Sequence, residues 1–131
     1  MYIGNIIDKI DKKYHYQKFN RINFNSKKCK KGDIFFAIKG NKSNGNKFIQ
    51  DAIKNGAKII VSNQQAQGHK EGVLYIKSKN PRKLLSEACS KIYKLKPKNL
   101  IAVTGTNGKS SIANFFFQIL KKNNFKVASI G

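Results

Sequence analysis

The sequence predicts an α/β protein in two parts: a small domain built on a mixed sheet, and the start of a second α/β domain that carries a phosphate-binding loop. Short apolar runs alternate along the chain with segments of helical periodicity, which is typical of a mainly parallel sheet whose strands are connected by helices. A charged segment with one of the two prolines, 94–99, separates the two parts. We therefore expect a first domain over 1–96 and a second over 97–131.

Composition allows a globular protein and says little about its partners. The chain has 131 residues, 40% of them hydrophobic, and a net charge of +21. Only Arg21 and Arg82 among its 27 basic residues are arginine, the residue favoured for reading base edges, and the lysines are scattered. The charge is thus weak support for a nucleic-acid partner. Neither a secretory signal nor a membrane helix is visible, so a cytoplasmic location is expected.

The first third of the chain predicts one short helix and two strands. Apolar residues spaced as on one helical face begin it: Ile3, Ile6, Ile7 and Ile10. Alternation over 22–26 places Ile22, Phe24 and Ser26 on one side of a half-buried strand. The nearly continuous apolar run 34–38 predicts a strand covered on both faces and central in the sheet.

Two further strand and helix pairs follow. The periodic stretch 48–54 predicts a helix that Asn55-Gly56 ends, and 58–61 predicts a buried strand. The polar tract 62–72 is expected to be a surface loop, and 73–76 another strand. Asn80-Pro81 predicts a helix start, because proline at the first turn loses no hydrogen bond. The apolar stripe of that helix consists of Leu84, Leu85, Ala88, Cys89 and Ile92.

A strand, a glycine-rich turn and a helix follow in that order in the second part. Glycines can turn successive N–H groups toward an anion, and the start of the next helix adds its unpaired donors. Lys109 would neutralise terminal phosphate oxygens of ATP, and the Ser110 hydroxyl is a suitable oxygen ligand for Mg²⁺. The predicted ATP-binding residues are Gly105, Thr106, Asn107, Gly108, Lys109, Ser110 and Ser111. A Gly-Lys-Ser turn without a ligand is the alternative, since Val103 replaces the first glycine of the general pattern.

The second part has few elements with which to bury its apolar faces. One helix, with apolar residues from Ile112 to Leu120, and two strands, 101–104 and 126–131, are predicted there. Because two strands and one helix leave apolar surface uncovered, we expect this domain to be truncated.

The run Thr104–Ser110 resembles the ATP loop of the Mur ligases, the amide-forming enzymes of peptidoglycan precursor synthesis. The segments 24–27, 31–40, 44–49 and 52–57 resemble the N-terminal domain of the same family. Two motifs in the family's order, a domain length apart, make the resemblance specific. It extends from about Ile22 to Gly131.

The resemblance implies that the first domain binds the uridine diphosphate end of a muramyl substrate. The residues that match the family's substrate contacts are Phe24, Ser26, Asn41, Lys42 and Ser43. This chain departs from the family at three positions, with Asn25, Lys27 and Asn41 where aspartate, arginine and histidine are usual. An asparagine amide can still hydrogen-bond a uracil edge or a diphosphate. From the residues alone, Ser26 and Asn41 would be interpreted as satisfying only strand ends and turns, and it is the resemblance that assigns them to the substrate.

The resemblance further implies an ATP- and Mg²⁺-dependent ligase in which Lys109 is catalytic and Ser110 binds the metal. Thr106-Asn107 and 128–131 resemble the members that add the third amino acid, diaminopimelate or lysine, to UDP-N-acetylmuramoyl-L-alanyl-D-glutamate. The member that adds the terminal D-alanyl-D-alanine dipeptide is one alternative, and a noncatalytic basic P-loop module that binds nucleic acid is another. The family's other catalytic residues would lie beyond Gly131, so we expect residues 1–131 alone to be inactive. We also expect the complete ligase to be a monomer.

Overall fold

The computed structural model describes residues 1–41 and 43–130. They divide into two compact units, Met1–Leu95 and the residues from Lys96 onward, one residue before the boundary expected from the sequence. Each unit is described by itself below.

The first unit is built on a five-stranded sheet with the order β1-β2-β3-β5-β4. β1, β2, β3 and β5 run parallel, and β4 is an antiparallel edge strand, so the predicted mixed α/β architecture is confirmed. The strands are β1 Ile22–Asn23, β2 Ile34–Phe36, β3 Ile59–Ser62, β4 Gly68–Lys70 and β5 Val73–Lys77. The α-helices of this unit are α1 Ile49–Lys54 and α2 Pro81–Ile92, and short 3-10 helices span Ile3–Asn5, Lys12–Tyr14, Ser26–Lys28 and Gly45–Phe48.

Both faces of this sheet are covered, which explains why its inner strands are continuous apolar runs rather than alternating ones. On one face Ile34, Phe36 and Val61 pack with the N-terminal isoleucines and with α2. On the other face Phe35 and Ile60 pack with α1. Neighbouring residues of one strand thus enter opposite cores, as the two-residue period of a strand requires.

The ends of the two helices form as the sequence predicts. The Asn80 side chain accepts a 3.0 Å hydrogen bond from the Lys83 amide at the start of α2, with Pro81 as its first residue. Gly56, at φ +102°, follows α1, and a Cβ there would lie 2.7 Å from the Lys31 backbone nitrogen. Glycine is therefore required at this position by both the backbone angle and the close approach.

Three details of the first unit differ from the predictions. The four N-terminal isoleucines are buried, but the helix is only a 3-10 turn, Ile3–Asn5, and the amides of Ile3 and Gly4 at its start bond the carbonyls of Gln17 and His15. β3 rather than β2 is central, because the tract 62–72 contains β4, which adds to the far side of the sheet. β1 ends at Asn23 and leaves Phe24 65% exposed.

The second unit contains α3, Lys109–Lys122, at the predicted place. Its apolar face is open to solvent, as shown by Phe115, which is 63% exposed. The predicted strands 101–104 and 126–131 are wrong for the part of the chain that the structure describes, since neither 101–104 nor 126–130 pairs there; Gly131 lies outside the described residues. A strand needs a hydrogen-bonded neighbour, and these two segments do not bond to each other.

Candidate functional site

The predicted substrate contacts of the first unit lie at one edge of the sheet. β1 and β2 are parallel neighbours, so the residues that follow them share the carboxyl edge. Phe24 and Ser26 follow β1, and Asn41 and Ser43 follow β2. Lys42 lies outside the described residues. The carboxyl edge is where open α/β sheets place ligands.

A surface cavity of about 310 Å³ opens at this edge. Its walls come from the ends of β1 and β2 and from the first turns of α2, and its lining residues are Phe24, Ile38, Arg82, Leu85 and Ser86. The exposed Phe24 ring provides a flat apolar face, and Arg82 is the one cationic residue of the lining among the residues that the structure describes. Such a combination suits a ligand that has both a planar ring and negative charge.

The turn that carries Asn41 is closed by hydrogen bonds. The Gly40 amide donates to the Ser43 carbonyl at 2.9 Å, and Lys39 forms an isolated antiparallel bridge with Asn44. Gly45 follows in close contact with β2, since a Cβ there would lie 2.6 Å from the Ile38 backbone nitrogen. Asn41 is exposed on this turn, where its amide can reach a ligand.

Ser26 has a structural role in addition to its predicted one. It is 6% exposed and begins a 3-10 helix whose preceding residue, Asn25, accepts a 3.0 Å hydrogen bond from the Lys27 amide. The Ser26 carbonyl accepts bonds from the Asn55 side chain at 3.0 Å and from the Cys29 amide at 3.1 Å. Asn25 therefore supports the local backbone.

Sequence reasoning missed Arg82 and the other three residues that line the cavity with Phe24. Arg82 donates from Nη2 to the Lys39 carbonyl at 2.9 Å, across 43 residues of sequence. Arginine is rare among the basic residues of this chain, and this rarity was the sequence signal that could have pointed to Arg82. Ile38, Leu85 and Ser86 gave no such signal, since their approach depends on how α2 packs against the sheet.

Asp33 was also missed, and it organises the opposite, amino edge of the sheet. Its carboxylate is fully buried and accepts four hydrogen bonds. Arg21 donates from Nε at 3.2 Å and from Nη2 at 2.9 Å, the Asn23 side chain donates at 2.7 Å, and the Lys30 amide donates at 2.9 Å. The hydrogen bond to Asp33 raises the pKa of Arg21. This cluster joins the starts of β1 and β2.

In the second unit, the glycine-rich turn leads directly into α3. Gly105 and Gly108 have φ angles of +148° and +74°, and no side chain caps the start of the helix at Gly108. Lys109 Nζ bonds the carbonyls of Gly105 at 2.5 Å and Thr106 at 3.0 Å, so the ammonium folds over the loop. The first turn of α3 has no acidic residue to repel an anion.

These features fit a nucleotide phosphate. Free helix-start amides and a lysine ammonium are the groups that hold phosphate oxygens in such loops. Ser110 is exposed and offers one oxygen, which suits Mg²⁺ only with further ligands from a nucleotide and water. Within residues 1–41 and 43–130, no group of three or more His, Cys, Asp or Glu side chains could hold a metal ion by itself.

The two cysteines are not activated nucleophiles. Burial raises the pKa of the Cys29 thiol to about 11, and burial also raises the pKa of Cys89. Both are therefore neutral thiols near pH 7.

None of the helices in the described part of the chain is long and apolar enough to cross a membrane.

Comparison with known proteins gives the family. The model of the Mur ligase family, catalytic domain, matches residues 18–94, a range that contains the whole five-stranded sheet. The UDP-N-acetylmuramoyl-L-alanyl-D-glutamate--2,6-diaminopimelate ligase of Rickettsia montanensis is 42% identical over 90% of this chain and 24% of its own length. The ligase of the same name from Clostridium tetani is 43% identical over 84% of this chain and 24% of its own length.

Solved structures agree with these relatives. A UDP-N-acetylmuramoyl-L-alanyl-D-glutamate--2,6-diaminopimelate ligase aligns with a TM-score of 0.71 and 25% identity over 100% of this chain and 27% of that one. The MurF ligase of Thermotoga maritima, solved in complex with ADP, aligns with a TM-score of 0.61 and 25% identity over 79% of this chain and 23% of that one. The chain spans about a quarter of the length of the curated relatives it matches. It belongs to the Mur ligase family.

Proposed function

We propose that this chain forms the substrate-binding domain, 1–96, and the beginning of the ATP-binding domain, 97–131, of a ligase that adds the third amino acid to UDP-N-acetylmuramoyl-L-alanyl-D-glutamate. The observation that carries the proposal is the carboxyl edge of the sheet, where Phe24 and Arg82 line a cavity and Arg82 bonds Lys39 at the base of the turn with Asn41. The names of the relatives support 2,6-diaminopimelate as the added amino acid.

In the first unit we assign the uridine diphosphate end of the substrate to this edge. The exposed Phe24 ring offers a stacking surface for a planar base. Asn41 and Ser43, with Lys42 between them in the sequence, supply polar groups to the uracil edge or the diphosphate. Ser26 completes the set at the start of its 3-10 helix.

In the second unit we assign the glycine-rich turn to the nucleotide. Bound ATP would supply the phosphoryl group that makes the substrate carboxylate reactive toward the amine of the incoming amino acid. The amides from Gly105 to Ser111 would bind phosphate oxygens, with Thr104 as a further contact. Lys109 would exchange its two carbonyl bonds for contacts to phosphate, and Ser110 would bind Mg²⁺. We also propose that the complete ligase is a cytoplasmic monomer without a nucleic-acid partner.

A chimera tests this proposal. Residues 1–131 replace the matching N-terminal segment of the Rickettsia montanensis ligase, and phosphate release is measured with ATP, diaminopimelate and the UDP-muramyl dipeptide. We expect release that requires both co-substrates and that Lys109→Ala abolishes without changing the thermal unfolding of the chimera. Ser110→Ala should raise the Mg²⁺ concentration needed for activity, because one metal ligand is lost.

Direct binding to the 131-residue chain is the companion measurement, since it does not depend on how the chimera folds. Calorimetry with the UDP-muramyl dipeptide should show saturable binding that weakens with salt much less steeply than binding to a nucleic acid, because the ligand carries only two phosphates. Binding to DNA or RNA that falls steeply with salt, together with no response to the UDP-sugar, would contradict the proposal in favour of a nucleic-acid module.

A further inference from the structure

The first turn of α2 is hydrogen-bonded to the turn that carries Asn41. We propose that Arg82 is a positioning residue, which fixes the Lys39 carbonyl and thereby holds Gly40, Asn41 and Ser43 in the arrangement that binds the uridine diphosphate end of the substrate. This inference rests on the proposed function of the same edge. Its physical basis is the 2.9 Å hydrogen bond from Arg82 Nη2 to the Lys39 carbonyl.

The bond acts at the base of the turn. Lys39 pairs with Asn44 across the turn, and Gly40 bonds Ser43 inside it, so Asn41 lies on a short closed segment. Fixing the Lys39 carbonyl therefore limits how the segment can rotate against β2.

Arg82 is well suited to act as the fixed end of this contact. It lies in the first turn of α2, which the Asn80 side chain caps and which begins with Pro81. Further along the same helix, Ala88 is fully buried against the sheet. A side chain projecting from a packed helix positions a loop better than one projecting from another loop.

The use of arginine in this chain supports the same conclusion. The other arginine, Arg21, makes a two-nitrogen contact with the buried Asp33 carboxylate. Both arginines thus make directional bonds across a long sequence separation, whereas the other 25 basic residues are lysine. The planar guanidinium offers several donors in a fixed arrangement and reaches one atom further than a lysine ammonium.

Two substitutions and one control separate positioning from simple charge attraction. Arg82→Met keeps the apolar stem beside the cavity and removes the donors. Arg82→Lys keeps the positive charge but not the planar fork. The control, Lys83→Met, removes one charge from the neighbouring residue of the same helix, whose ammonium lies 3.9 Å from Glu87 on the surface.

Hydrogen exchange and calorimetry on the 131-residue chain are the two readouts. In both Arg82 variants the Gly40 amide should exchange roughly fivefold faster, while the Leu74 amide, bonded to the Lys58 carbonyl within the sheet, stays unchanged. Affinity for the UDP-muramyl dipeptide should fall by roughly fivefold in both variants, about the loss expected for one partly exposed hydrogen bond. Lys83→Met should leave both readouts as in the wild type.

Each of the following outcomes would contradict a specific part of the proposal. Unchanged Gly40 exchange in Arg82→Met would show that Arg82 does not hold the turn. Affinity restored by Arg82→Lys with Gly40 exchange still fast would show attraction by charge instead of positioning. A wild-type chain that does not bind the UDP-sugar overturns the proposed function together with this role, whereas wild-type affinity in Arg82→Met overturns the role alone.

Discussion

Removing the buried carboxylate of Asp33 tests what holds the edge of the sheet opposite the candidate site. In Asp33→Ala, the Asn23 side chain and the Lys30 amide each lose an ionised acceptor, at 2.7 and 2.9 Å. A hydrogen bond to a charged group contributes about 1.5–3 kcal/mol, and the lower value applies where water can reach the donor. Arg21 adds little, because its half-exposed guanidinium can return to water.

These contributions predict that Asp33→Ala lowers the free energy of unfolding of the first unit by about 3 kcal/mol. For a unit of this size the melting temperature should fall by about 12–24 °C. Thermal and guanidinium unfolding, followed by circular dichroism, measure both quantities. The control is Asp11→Ala, in which an exposed carboxylate loses only a 3.9 Å contact to Lys13, and its stability should stay within about 0.5 kcal/mol of the wild type. Equal losses in the two variants would refute the assignment of Asp33 as the link between β1 and β2.

Three further predictions concern single positions. Gly56→Ala should lower the free energy of unfolding by about 2 kcal/mol or more, because φ is +102° and the new Cβ would be too close to the Lys31 backbone. Denaturant titrations measure this loss, and a neutral effect would show that the backbone relaxes. In the chimera, Lys109→Ala should weaken ATP binding, measured by calorimetry, while α3 keeps its helical signal, and unchanged affinity would remove Lys109 from the phosphate site. In the folded protein the pKa of the Cys29 thiol is raised from 9.0 to about 11. The neutral thiol therefore makes its full contribution to the free energy of unfolding below pH 9, and this contribution is lost as pH rises toward 11. The difference in unfolding free energy between wild type and Cys29→Ala should narrow over that window, and a constant difference would contradict it.

Local signals were sufficient where one segment determines its own structure. Asn80-Pro81 predicted the start of α2, because the cap and the proline act within one turn of helix. The glycine-rich turn predicted the start of α3 in the same way, since Gly108 takes a positive φ angle just before the helix. These elements required no knowledge of the rest of the chain.

Two features of the first unit did not follow from the apolar pattern of the sequence. β4 is short and polar, and it exists because the two-residue turn Glu71-Gly72, with both φ angles positive, folds it back onto β5. The N-terminal isoleucines are buried as their spacing predicts, yet they lie on a 3-10 turn whose first amides bond the segment 15–17 instead of on a longer helix.

The candidate site shows the same division. The motif residues Phe24 and Asn41 could be named from the sequence, but the cavity wall from α2 could not, because it forms through packing across the sheet. The exposure of Phe24 was also missed. Alternation with Ile22 placed it inside, whereas the cap at Asn25 ends β1 and turns the chain at the edge.

An NMR titration of the 131-residue chain with UDP-N-acetylmuramoyl-L-alanyl-D-glutamate tests the central claim most directly, because it reports both binding and its location. The account predicts saturable shifts of the amides of Phe24, Ser26, Asn41 and Ser43 at the carboxyl edge, with those of Asp33 and Lys58 at the amino edge unchanged. Shifts confined to the amino edge, or none at millimolar ligand, would contradict it.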